Sequence, residues 1–225
     1  FHNPTGITTR QEHRERLLGL AEKHGVPILE DGFEEEMKYF GCAVLPVKSM
    51  DALGIVIYVG TFSKVIFPGL RVGWLAASRD CIERLLAINR FASLSGPNVI
   101  HAALDRFCRA GDYERHVRRL HTAYRRRMHV MLRGLETHLP ATGAEWTRPI
   151  GGYTLWVRWP GRQAEEAGFL AHLRVHGLLV SAGSPYFATP PDEICFRLSV
   201  ANLTENEIAT GCERLGRALA AFGRR

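Results

Sequence analysis

Val117, Leu120, Tyr124, Met128, Met131 and Leu135 recur at three- and four-residue spacing, which predicts one long helix over residues 112–139. Helical spacing also covers residues 79–91, 98–109 and 165–176. Thr9 with Glu12 reads as a capping box for a helix through Lys23 that Gly25 stops, and Thr204 with Glu207 opens the last helix in the same way. Short apolar runs at 26–31, 55–59 and 72–76, and again at 152–159, 178–182 and 194–200, predict strands. Helices alternating with strands in the first half imply parallel strands joined by crossovers. The pattern divides the chain into residues 1–111, a long connecting helix over 112–139, and a smaller α+β part over 140–225. No internal repeat or low-complexity tract is present.

Three segments add chemistry. Residues 60–73 place Thr61, Ser63, Lys64 and Arg71 just beyond an apolar strand. A lysine there can condense with a carbonyl, while hydroxyls and a guanidinium hold a phosphate. Lys23, Lys38, Lys48 and Lys64 are the four lysines of the chain. The first three sit in polar or loop contexts, leaving Lys64 as the candidate for a buried reactive amine. Residues 26–31 read as a parallel strand that delivers Glu30 and Asp31 at its carboxyl end, where open α/β sheets bind ligands. A carboxylate there can keep a ring nitrogen protonated. At the N-terminus, Pro4 holds Asn3 extended, so its amide can address a ligand hydroxyl or phenolate. Each segment alone also reads as an ordinary turn, acidic loop or strand end. By spacing alone the set supports a ligand bearing a phosphate and a carbonyl.

In this order, Asn3-Pro4-Thr5-Gly6, the strand ending in Asp31, and Thr61-Phe62-Ser63-Lys64 with Arg71 resemble the fold-type I pyridoxal 5′-phosphate (PLP) enzymes of the class I/II aminotransferase family. The resemblance is collinear over residues 3–73 and continues weakly to the C-terminus. It implies an α/β fold-type I PLP-dependent transferase. Residues 1–111 would be the C-terminal part of a large domain with a mainly parallel sheet, and residues 140–225 the small domain. Lys64 would be the Schiff-base lysine and the base that moves the substrate α-proton. Asp31 would pair with the pyridine nitrogen, Asn3 would bond the phenolic oxygen, and Thr61, Ser63 and Arg71 would bind the phosphate. Arg197, in the strand over 194–200, falls where the family clamps the substrate α-carboxylate, a task that suits a planar fork. The implied activity is transfer of an amino group between an amino acid and a 2-keto acid, by a homodimer.

Phe33 stands where many relatives carry a tyrosine that bonds the phenolic oxygen. Either that bond is lost, or Tyr39 or Tyr58 replaces it. The chain opens inside a motif without an initiator methionine, whereas family members carry further large-domain residues before it. The expectation is therefore the C-terminal part of a longer enzyme, one that need not be active alone. The texture of residues 30–33, 58–64 and 67–71 is also similar to the aminotransferase-like domain of MocR-type regulators of the GntR family. There the domain senses an amine or PLP, and a separate winged helix-turn-helix contacts DNA.

Composition changes this picture little. The formal net charge is +6, with Arg115, Arg118, Arg119, Arg125, Arg126, Arg127 and Arg133 crowding the long helix. A nonspecific phosphate surface is one reading, and a solvated outer face is the favoured one. No apolar run approaches the roughly 20 residues of a membrane span, and no signal peptide is visible, so a cytoplasmic protein is expected. Cys42, Cys81, Cys108, Cys195 and Cys212 show no paired spacing, which indicates neither disulfides nor a metal site.

Overall fold

A computed structural model describes residues 1–41, 44–93, 96–189 and 191–223; Cys42 lies outside them. The chain forms two compact units. One comprises Thr9–Glu36 and Gly41–Leu120, the other Phe1–Thr8, Met37–Phe40 and His121–Arg225.

The first unit opens with α1 (Gln11–His24). Its N-cap is Arg10, with no side-chain cap, so the expected Thr9 capping box does not form. The Thr9 hydroxyl is engaged by Arg14 Nε at 3.2 Å instead. Gly25, at φ 62°, ends the helix, and the Val26 N–H returns to Ala21 O at 2.9 Å, a closure that the left-handed glycine makes possible. Strand β1 (Ile28–Asp31) pairs in parallel with β2 (Val56–Thr61), Asp31 lying beside Val59. Strand β3 (Gly73–Ala76) pairs with β2 antiparallel, Gly60 beside Trp74, which corrects the expected parallel crossover. Residues 62–72 hold only a 3-10 turn at Pro68–Leu70, too short a link for the helical crossover that a parallel return requires. Helices α2 (Arg79–Ser93) and α3 (Asn98–Arg109) follow as expected.

Leu18 of α1, Val47 and Val56 form the buried centre of this unit. A polar knot beside it fixes the strand edge. Glu30 accepts the Val47 and Lys48 N–H groups, each at 2.9 Å. The Lys48 amine reaches Val56 O at 2.8 Å and Asp51 Oδ2 at 2.9 Å, and the fully buried Asp51 carboxylate also takes the Ile55 and Val56 amides. Lys48 therefore lies in a structural lock, not in the free loop that its sequence context suggested.

Helix α4 (Asp112–His138) runs through the boundary between the units. The second unit adds β4 (Glu145–Trp146), β5 (Thr154–Arg162), α5 (Glu166–Val175), β6 (Ser181–Ala182), β7 (Glu193–Ser199) and α6 (Glu205–Phe222). The strands form an antiparallel sheet in the order β4-β5-β7-β6. Strand β4 was not anticipated, and β6 is shorter than the apolar run over 178–182 suggested. The Thr204–Glu207 capping box forms as read.

Period-two alternation sorts the two faces of this sheet. Leu155, Val157, Trp159, Ile194 and Phe196 enter a core with Met131, Phe169 and Leu215, while Trp156 and Arg197 belong to the opposite face. Arg127 of α4 is not on a solvated face as expected; it is half-buried and donates to Ala201 O at 2.7 Å.

Two outcomes follow. Phe169 is fully buried and stacks on Trp159 at 5.4 Å, so Phe169→Ala should cost about 3–5 kcal/mol in denaturant unfolding. For Asp51, burial pushes the carboxyl up, but the bonds from Lys48, Val56 and Ile55 outweigh it and hold the group below its ordinary 3.8. That depression stabilises the fold above pH 3.8 and is lost as pH falls through the lower, folded value. Urea midpoints should therefore fall on acidification in the wild type and depend less on pH in Asp51→Asn.

Candidate active site

In the first unit, Lys64 follows the end of β2 by three residues. The turn that carries it is closely tied. Thr61 Oγ1 accepts the Ser63 N–H at 3.1 Å, Phe62 N–H bonds Val72 O at 3.2 Å, and Ile66 N–H bonds Phe62 O at 2.9 Å. Arg71 adopts a left-handed backbone at φ 52°, the only described non-glycine residue to do so. Two contacts from α4 steady the turn from behind. His116 Nε2 donates to Val65 O at 2.8 Å, and Tyr113 meets the Phe62 ring edge-on at 5.7 Å. His116 is thus a support of the Lys64 turn. No local motif marks a histidine that finds its partner 51 residues away.

Lys64 is exposed, which corrects the expectation of a buried amine: the turn buries its neighbour Val65 and leaves the lysine on the outer side. Arg71 is exposed too, and among the described residues no carboxylate pairs with either cation. The buried lysine nitrogen belongs to Lys38, in the other unit, where it has no hydrogen-bond partner.

Glu30 and Asp31 point to opposite faces of β1, as neighbours on a strand must. Glu30 is occupied by the Val47 and Lys48 amides. Asp31 is exposed at the carboxyl end and accepts only the Phe33 N–H, at 3.2 Å to Oδ1. Only Asp31 keeps a carboxylate oxygen for a ligand.

The two hydroxyls that could replace the missing one at Phe33 are both committed. Tyr58 OH donates to the Glu35 carboxylate, and burial with that carboxylate pushes its phenol far above the ordinary 10.0. Tyr39 OH donates to Gly152 O. A phenol has one proton, so neither is free to donate to a ligand phenolate. A cavity of about 490 Å³, lined by Phe33, Glu35, Lys48, Tyr58 and Trp74, lies on the Tyr58 face; Asp31 and Lys64 do not line it.

In the second unit, Asn3 Oδ1 accepts from Arg197 Nη1 at 2.7 Å. A guanidinium can only donate, so the amide must present its oxygen there and keeps its NH2 free as a donor. Thr147 Oγ1 ties the N-terminal turn down by donating to Thr5 O at 2.7 Å. Gly6, at φ 68°, packs so close to Thr154 O that an added Cβ would lie 2.3 Å from it. Arg197 is half-buried, its Nε is buried without a partner, and no described carboxylate pairs with it.

A family profile described as aminotransferase class I and II matches residues 1–215. The aromatic-amino-acid aminotransferase 1 of Thermococcus litoralis is 32% identical over 219 residues, which is 97% of this chain and 52% of that protein. The HTH-type transcriptional regulator TauR of Rhodobacter capsulatus is 34% identical over 97% of this chain and 45% of its own length. The crystal structure of LysN, the α-aminoadipate aminotransferase of Thermus thermophilus, complexed with N-(5′-phosphopyridoxyl)-L-leucine, superposes with a TM-score of 0.88 at 32% identity, over 99% of this chain and 57% of that one. The chain thus spans about half the length of the relatives it matches. With a fold-type I α/β architecture and a profile match along nearly its whole length, the chain belongs to the class I and II aminotransferase family.

Proposed function

We propose that this chain works in a PLP-dependent aminotransferase that moves an amino group between an amino acid and a 2-keto acid. The observation that carries the proposal is the set of donors on one turn. Thr61, Ser63, Lys64 and Arg71 offer two hydroxyls, an amine and a guanidinium, and neither cation has a described protein anion beside it. Such a set suits a ligand that brings its own negative charge. PLP is the cofactor of the family, and these residues fit it. Thr61, Ser63 and Arg71 would hold its phosphate, Asp31 its ring nitrogen, and the free Asn3 amide its phenolic oxygen.

When bound, PLP supplies an aldehyde that condenses with amines and a ring that accepts an electron pair from the substrate α-carbon. The protein does the rest. The Lys64 amine would be the group that engages the aldehyde, and its Nζ, once freed by the incoming amino acid, would accept and carry the substrate α-proton. The Asp31 carboxylate keeps the ring nitrogen protonated through its uncommitted oxygen. Arg197 holds the substrate carboxylate. Phe33 has no hydroxyl to offer the phenolic oxygen, so among the described residues Asn3 would be the donor assigned to it.

A second reading is supported by the regulator relative. TauR is as similar to this chain as the enzymes are, so the domain could serve as an effector sensor in a MocR-type regulator. A homodimer in the cytoplasm is proposed for either reading from the family resemblance. No described helix is long and apolar enough to cross a membrane.

Three substitutions in the full-length protein separate the assigned roles. Arg71→Ala should weaken PLP binding about tenfold or more, read by titration of the visible absorbance, because it removes a charge-assisted phosphate contact. Asp31→Asn should retain PLP but slow the amino-donor half-reaction by about 10²-fold or more, the scale of proton-transfer assistance. Arg197→Ala should raise the amino-acid KM and leave PLP attachment in place. An Asp31→Asn protein with wild-type half-reaction rates would refute the assignment of Asp31. Multiple turnovers with an amino donor and a keto acid favour the enzyme; binding without turnover favours the sensor.

A further inference from the structure

Arg197 does not stand alone on its face of the second unit. Strand β7 pairs with β5 on one side and β6 on the other, and the register sets Trp156, Arg197 and Ser181 in one row across three strands. Side chains in such a row share a face and touch their neighbours. Ser181 Oγ accepts from Arg197 Nη2 at 3.1 Å. The guanidinium carbon lies over the Tyr186 ring at 5.6 Å. Tyr186 is itself set by Trp156, which meets it edge-on at 5.7 Å and 86° while being 6% exposed. With Asn3 on Nη1, the guanidinium is held at both terminal nitrogens and along its plane, by neutral groups only.

We propose that Ser181 and Tyr186 are positioning residues that set the plane of the Arg197 guanidinium for a carboxylate ligand; this rests on the reading of Arg197 as the substrate-carboxylate ligand. An arginine kept for structure alone is ordinarily neutralised by a carboxylate when it is taken from water. Here the partners are an amide oxygen, a hydroxyl and a ring face. They fix direction without cancelling charge, so the attraction for an outside anion is kept. Ser181 takes one Nη2 proton and Asn3 one Nη1 proton, and each terminal nitrogen retains one N–H, the number a bidentate carboxylate uses. The Tyr186 face resists rotation about the guanidinium axis and adds a cation–π contact that binding does not disturb.

The test titrates propionate, a carboxylate without an amino group, into full-length PLP-loaded protein by calorimetry. Ser181→Ala should weaken propionate binding about fivefold, the net worth of one ordinary hydrogen bond, because the lost bond orients Arg197 and does not touch the ligand, and Ser181→Thr should restore it. Tyr186→Leu should weaken it by a similar factor, whereas Tyr186→Phe, which keeps the ring face, should not. In steady state, Ser181→Ala should raise the amino-acid KM more than it lowers kcat. Wild-type propionate affinity in Ser181→Ala, or a Tyr186→Phe loss as large as that of Tyr186→Leu, would overturn the proposal. Propionate binding depends on Arg197 and not on Lys64, so failure of the transamination reading would show separately, as absent turnover with these affinities intact.

Discussion

The carboxylate of Glu30 fixes the edge on which the first unit depends. By accepting the Val47 and Lys48 amides it draws the segment before β2 against β1, and the Lys48–Asp51 pair carries that hold onto Val56. The parallel register that follows sets Asp31 beside Val59. Because neighbours on a strand face opposite ways, committing Glu30 to the structural side turns Asp31 outward. One carboxylate builds the edge and the other is left exposed with one oxygen uncommitted. Two adjacent acids thus differ in role through geometry alone.

A second regularity runs through both units. The cations assigned to ligand binding lack carboxylate partners, while many others have them. Lys48 has Asp51, Arg109 has Asp105 and Arg158 has Glu193. Lys64, Arg71 and Arg197 have none among the described residues. Exposed pairs contribute little to stability, so the contrast says less about folding than about where charge is left available. Around Arg197 the neutral Asn3, Ser181 and Tyr186 restrict orientation and leave charge unspoken for.

Much of this was legible in the sequence, and the remainder was not for identifiable reasons. Helices α2, α4 and α6 follow from apolar spacing and, for α6, a capping box, because those signals are local. The turn around Lys64 and the strand end at Asp31 were readable because residue type and order there reflect chemistry. The direction of β3 was misread, since an apolar run does not encode which way it pairs. Burial of Lys64 was inferred by setting aside three lysines in polar or loop contexts, whereas exposure depends on what packs beside a turn. The contacts of Ser181 and His116 were invisible because their partners are distant in sequence, brought together by strand register or by helix packing. The Thr9 box is absent because the helix starts one residue later, with Arg10 at the N-cap, and the Thr9 hydroxyl accepts from Arg14 instead.

Everything proposed for the site turns on Lys64, among four lysines, being the amine that engages PLP. Borohydride reduction of full-length PLP-loaded protein, followed by peptide mass mapping, tests it directly. A single phosphopyridoxyl-modified peptide carrying Lys64 is expected. Label on Lys23, Lys38 or Lys48 with Lys64 unmodified, or no labelled peptide from protein saturated with PLP, would contradict it.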